Sequence, residues 1–240
     1  MSFGFMVSNR NGGIVVSDRT YSMVYVGLAE FSGVTGAALP VYPGREDIAK
    51  CGTTMCYYVN NCPFEPLPFI RRNAGWAGIV GVQPAGLNRW EITVVVYPAN
   101  PPQILVFCRT PNTGPAGRWG MVLRGPDGSL RYDSNRQNLV LADILNHAPG
   151  GIYPWESMWN CTTVTPLRVN NPNLAFCYSA TGKATTDNNY WSYYFLLVAR
   201  LSDAGFETKY STIAKGAQVS AGYYDHVPQA VMVIDASLYI

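Results

Sequence analysis

Charge is what this sequence has least of. Asp, Glu, Lys and Arg make up 13% of the 240 residues, and the formal net charge is +2; the ordinary charged share is about 25%. So even a balance excludes a phosphate-binding surface, which needs clustered cations, and Arg71-Arg72 is the only adjacent basic pair. Histidine is nearly missing, with His147 and His226 alone, and neither is accompanied by a Gly-x-Ser-x-Gly elbow or comparable nucleophile setting. Acids such as Glu91, Asp133 and Glu156 carry no signal of a paired cleft. There is no phosphate-cradling Gly-rich loop with Lys-Ser or Lys-Thr, no Gly-x-Gly-x-x-Gly after a strand and no His-Glu-x-x-His helix. No apolar stretch approaches the ~20 residues that cross a bilayer. The start MSFGFMVSNR lacks the basic segment and apolar run of a secretion signal. A soluble, non-catalytic chain is expected, with no cofactor, no nucleic-acid partner and no membrane span.

The six cysteines, Cys51, Cys56, Cys62, Cys108, Cys161 and Cys177, are irregularly spaced. A zinc site usually begins with closely spaced Cys pairs converging on one ion. Here Cys51, Cys56 and Cys62 are separated by four and five residues, with no fourth ligand nearby. The expectation is no metal and buried thiols in a reducing compartment.

What the chain does have is one pattern written twice. FGFMVSNRNGGIVVSD at 3–18 and WGMVLRGPDGSLRYDS at 119–134 align Gly4 with Gly120, Asn11-Gly12 with Asp127-Gly128 and Ile14 with Leu130. An Asx-Gly step between β-prone residues is a strong hairpin signal, because both residues tolerate positive φ. The copies lie half a chain apart, which predicts two related β units. TPNTGPAG at 110–117 is a linker by composition, so the units are placed at 1–112 and 118–240.

Strands are expected over 21–27, 55–59, 89–97 and 103–109, with the last two forming a hairpin across the connection PANPP and Ile92, Val94 and Val96 on the buried face. Cys62–Pro68, with three prolines, is expected to be irregular or at an edge. Further β runs are 190–199, 206–213 and 230–240, the last paired to its end at Ile240; 139–146 is open between strand and short helix. The predicted fold class is all-β: two β-sandwich-like units, mostly antiparallel, with irregular Pro/Gly-rich loops.

Gly 23, Pro 17, Tyr 16 and Trp 6 leave a neutral, aromatic surface, as suits a subunit packed among neighbours, since charge is depleted at interface cores. An ordinary all-β protein accounts for the composition equally. Tyr153, Trp155 and Trp159 in GIYPWESMWN are the candidate contact residues for a protein interface or a ligand such as a sugar ring, with cover for a β core as the alternative.

The opening Met-Ser-aromatic-Gly, the Asx-Gly hairpin ending in Ser-Asp or Asp-Ser, and its second copy after RWEITVVVYPANPPQILVFCR resemble small tail-tip or baseplate proteins of long-tailed bacteriophages. The resemblance implies a non-catalytic virion structural protein, assembled in the host bacterial cytoplasm, with other tail or baseplate proteins as partners. A homo-oligomer, trimer or hexamer, is expected, with a host surface receptor as a further candidate partner. The alternative is a carbohydrate- or receptor-binding module of a tail fibre.

Overall fold

β-Branched and aromatic runs between Gly- and Pro-rich turns fold into strands throughout, and no α-helix occurs among the described residues. The computed structural model describes residues 6–8, 14–17, 22–36, 53–72, 75–98, 100–109, 120–147, 163–169, 171–179, 183–187, 192–216 and 229–240. The first half holds β1 (Met6–Ser8), β2 (Ile14–Ser17), β3 (Met23–Leu28), β4 (Glu30–Gly36), β5 (Thr53–Val59), β6 (Leu67–Arg71), β7 (Trp76–Gly86), β8 (Arg89–Tyr97) and β9 (Ile104–Arg109). The second holds β10 (Val122–Arg124), β11 (Leu130–Asp133), β12 (Leu141–His147), β13 (Thr163–Thr165), β14 (Leu174–Cys177), β15 (Lys183–Asp187), β16 (Ser192–Ser202), β17 (Gly205–Gly216) and β18 (Gln229–Asp235), then a 3-10 turn, Ala236–Leu238.

Two large antiparallel sheets carry the core. One has six strands in the order β12-β18-β14-β6-β9-β3; the other has eight, in the order β13-β17-β16-β7-β8-β5-β4 with β15 beside β16. Between them lies a core containing Ile92, Val94 and Val96 from β8 and Ile104, Val106 and Cys108 from β9. The opposite face of the six-stranded sheet is also apolar, with Leu105 and Phe107 of β9 and Met232 and Ile234 of β18 in a second cluster. Burial on both faces explains why QILVFCR and AVMVID are nearly continuous apolar runs and do not alternate. Each such side chain stabilises the fold by about 1.5–3 kcal/mol.

The six-stranded sheet curls back on itself around that second cluster. Asn138, just before β12, forms an antiparallel bridge with Val24 of β3. Tyr25 N–H donates to Gln137 O at 2.8 Å and Leu139 N–H to Met23 O at 2.7 Å. Closure into a small barrel removes part of two exposed edges. Tyr239 seals the seam: its hydroxyl accepts from Val140 N–H at 2.8 Å and donates to Asn138 O at 3.1 Å. Its ring meets Phe107 edge-on, centroids 4.8 Å apart.

Apart from β4 and β15, the strand order of the two large sheets reads the same from either end. Matching β3, β5, β6, β7, β8 and β9 with β12, β13, β14, β16, β17 and β18 gives every pairing among these six in the first half its counterpart in the second. At the junction matched strands meet each other, β6 against β14 and β7 against β16, both antiparallel. Self-complementary contacts of this kind are what a local two-fold axis produces. Local detail repeats as well. Met6 faces Ser17, Val7 faces Val16 and Ser8 faces Ile14; Val122 faces Asp133, Leu123 faces Tyr132 and Arg124 faces Leu130, with the register shift at the same step in both. β3 and β12 share a bulge too, at Tyr25/Gly27 and Leu141/Asp143, and the residues skipped, Val26 and Ala142, both pack against the inter-sheet core.

The all-β, antiparallel, sandwich-like class is what the sequence predicts. Several finer expectations are corrected. Strands from 1–112 and from 118–240 share both large sheets, so the halves are equivalent without being separate sandwiches. β8 and β9 are not a hairpin: β8 pairs with β5 and β7, β9 with β3 and β6, and the Pro-rich connection carries the chain from one sheet to the other. Pro68 lies in a central strand, opposite Val106. Arg71 N–H points to Gln103 O, and N–H directions alternate along a strand, so the donor that Pro68 lacks would face β14, where pairing is confined to Ile70 and Arg71. The stretch 139–146 resolves as strand β12. At the C-terminal end the ladder stops at Asp235, and the last residues are held by the 3-10 turn and buried Tyr239.

Candidate functional site

Both hairpins stand outside the two large sheets, each as its own two-stranded sheet. In the second, Gly125-Pro126-Asp127-Gly128 closes a turn with Gly128 N–H on Gly125 O at 2.9 Å, and Gly128 takes φ +76°. Asp127 is not in the left-handed region, so the turn is wider than a two-residue loop, with Gly128 alone supplying positive φ. The Asp127 carboxylate instead organises the tip. It accepts from Ser129 Oγ at 2.6 Å and Ser129 N–H at 3.2 Å, and Arg131 Nη2 lies 3.2 Å from it. Those Ser129 hydrogen bonds, more than Arg131, hold the carboxyl below the usual range. The base is anchored by Asp133, fully buried, which accepts from Asn135 N–H at 2.9 Å and faces Arg136. Ser22 N–H donates to Arg131 O at 2.8 Å, fastening this hairpin to the entrance of β3. Asn11 and Gly12 of the first hairpin lie outside the described residues, as do Tyr153, Trp155 and Trp159.

The outer face of the eight-stranded sheet carries a cluster with no local sequence signal. Trp76 of β7 packs on Val95 and Val198 and is capped by Arg200, 4.4 Å from the ring, and Lys209, also 4.4 Å; Lys209 reaches Tyr97 at 4.8 Å. The indole is left 7% exposed. It acts as a strut under two cations and offers no open face for a sugar ring. Arg200 in turn donates to buried Glu207 at 2.9 Å. In the first half Arg89 lies 4.0 Å over the Tyr58 ring, and Tyr58 donates to Glu91 at 2.9 Å.

His147, which the sequence places in a loop-like context, ends β12 and is fully buried. Nδ1 is 2.8 Å from Thr165 Oγ1, Nε2 is 2.8 Å from Thr208 Oγ1, and the ring meets Phe206 at 5.1 Å. Burial pushes its pKa below the ordinary value. Both nitrogens are used in joining β12 to β13 and β17, so this imidazole is a structural bridge between the sheets.

The cysteines sort by face. Cys56 lies on the outer side of β5 beside Thr35 and Thr93, whereas Cys62 is in the inter-sheet core with Cys108; the two do not converge, and Cys51 is outside the described residues. Among the described residues no three His, Cys, Asp or Glu side chains gather as a metal site, and no helix is long and apolar enough to cross a membrane. A recess of about 280 Å³ beside Leu167, Asp203 and Gly205 has the Arg72–Asp203 ion pair at its rim and Ser202, which donates to Glu207, in its lining. The connection from Cys62 to Pro66 is folded down, with Cys62 and Pro66 buried and Cys62 O accepting from Trp90 Nε1–H at 2.9 Å.

Comparison with protein-family models, with curated proteins and with solved structures finds no match for this chain.

Proposed function

We propose that this chain is a non-catalytic structural subunit of the tail tip or baseplate of a long-tailed bacteriophage, working through protein–protein contacts in several identical copies. The observation that carries the reading is the pair of Asx-Gly hairpins, equal in register and both set apart from the large sheets. These are the segments in which the resemblance to tail proteins resides. A doubled, rigid β body holding two such hairpins suits a part that positions neighbours. The chemistry-bearing side chains fit the same role, since His147, Asp133 and Glu207 are buried and committed to hydrogen bonds inside the fold. Low charge is in keeping with faces that pack against other subunits. The neighbours are other tail or baseplate proteins, with loops turned toward the host surface as a secondary role.

The reading is tested by light scattering on the purified protein, followed by reconstruction of the particle. A trimer or hexamer is expected, each copy burying well over ~1,000 Å² and the Asp127–Gly128 tip or the Tyr153–Trp159 segment in a contact. A monomer missing from purified particles would defeat it. Binding to a glycan array would shift the role to receptor recognition.

A further inference from the structure

We propose that Cys62 and Cys108 form a dithiol site that hydrogen peroxide oxidises to an intramolecular disulfide, closing a covalent clamp on the core of the first half of the chain. Folding makes the pair: Cys62 lies in the connection from β5 to β6, and Cys108 is the penultimate residue of β9. Both side chains are fully buried in the inter-sheet core. The two thiols converge on one acceptor, the Phe64 carbonyl, Cys62 Sγ at 3.0 Å and Cys108 Sγ at 3.8 Å, and each sulfur perturbs the other's proton affinity. Cys56 is beside threonines on the outer sheet face, and Cys177 stands on β14, half-buried between the barrel cluster and the inter-sheet core.

The surroundings suit the chemistry. The contact with Cys62 holds the Cys108 thiol below its ordinary value, with the Phe64 carbonyl contact and Arg109 assisting, while the same contact together with burial pushes Cys62 up. The thiolate is the reactive form. The loop that contributes the shared carbonyl reaches the surface, with Pro63 and Glu65 exposed on either side of half-buried Phe64. Cys108 thiolate attacks one peroxide oxygen, the O–O bond breaks, and the hydroxide released takes a proton to become water, leaving a sulfenic acid on Cys108. Cys62 sulfur then attacks Cys108 sulfur; the S–S bond forms, the S–O bond breaks, and the Cys62 proton leaves with the hydroxide as a second water. Two thiols give up two protons and two electrons, and one peroxide becomes two waters. The bond ties β9 to a loop that Trp90 and Asn88 already fasten to the β7–β8 hairpin.

The test uses the full-length native protein, reduced, desalted, treated with hydrogen peroxide, alkylated, and only then unfolded and digested. Two of the six thiols should disappear, one cross-linked peptide pair should join Cys62 to Cys108, and the thermal midpoint should rise by about 5–15 °C until dithiothreitol reverses it. Cys108→Ser should keep every remaining thiol under the same treatment. Retention of all thiols, a cross-link elsewhere, or Cys108 over-oxidised beside a free Cys62 would overturn the proposal. If Cys108→Ser fails to fold, the wild-type peptide map alone decides.

Discussion

Glu91 and Glu207 occupy the same place in the two halves of the chain, each the third residue of the second strand of a hairpin. Each faces a residue that donates to it: Gln83 Nε2 to Glu91 at 2.8 Å, and Arg200 Nε to Glu207 at 2.9 Å. Only Glu207 is buried. A carboxylate stripped of its partner inside a core costs far more than one that water can reach. Arg200→Ala should therefore cost about 2–3 kcal/mol by leaving the Glu207 charge buried without its cation, held by the Ser202 hydroxyl, and Gln83→Ala no more than about 1 kcal/mol. Urea midpoints of the two variants check the order; equal losses would mean that Glu207 is as hydrated as Glu91.

His147 should make stability depend on pH. Its folded pKa lies below the ordinary 6.5 because burial disfavours the imidazolium. As pH falls the unfolded chain takes the proton first, so the contribution is full above about 6.5 and is lost toward the lower folded value. Urea unfolding at pH 5 and at pH 7.5 should show weaker stability at pH 5, with a smaller difference in His147→Gln. An unchanged difference in that variant would move the effect to other groups.

Two glycines with positive φ should differ sharply. Gly128 at φ +76° has nothing within 4 Å of where a Cβ would stand, so Gly128→Val should cost roughly 1 kcal/mol or more through backbone strain alone. At Gly205, φ +136°, an added Cβ would sit 2.4 Å from Thr165 O. Gly205→Ala should therefore be the more damaging despite its smaller side chain, with a loss above ~2 kcal/mol. Thermal unfolding of both variants decides.

Tyr57 is 1% exposed, and its hydroxyl has no hydrogen-bond partner among the described residues. Deleting an unsatisfied buried hydroxyl removes a desolvation penalty, so Tyr57→Phe should be neutral or stabilising by up to about 1 kcal/mol. Tyr57→Leu should lose the edge contact with Phe31, centroids 5.4 Å apart, and lower the midpoint. A clear loss in Tyr57→Phe would show that a bound water satisfies the hydroxyl.

Local chemistry is legible in a sequence because it acts over a few residues. The span of β8 matches the run RWEITVVVY, its buried face follows from alternation, and Asp127-Gly128 marks a turn because Gly128 accepts positive φ and the Asp127 carboxylate bonds back to Ser129. The matched hairpins are visible for the same reason, and they point to the repeat that six strands of each half share in the large sheets. Pairing was not visible. Whether β8 joins β9 or β5, whether Asn138 closes the barrel on Val24, and whether Cys62 meets Cys108 or Cys56 depend on complementarity between segments far apart in the chain. Trp76, Arg200 and Lys209 come from three strands and leave no pattern of spacing. The sequence determined where strands and turns form, through backbone preference and periodicity. The tertiary structure alone decided which strands are neighbours and which polar groups are sealed away from water, because those outcomes depend on long-range packing.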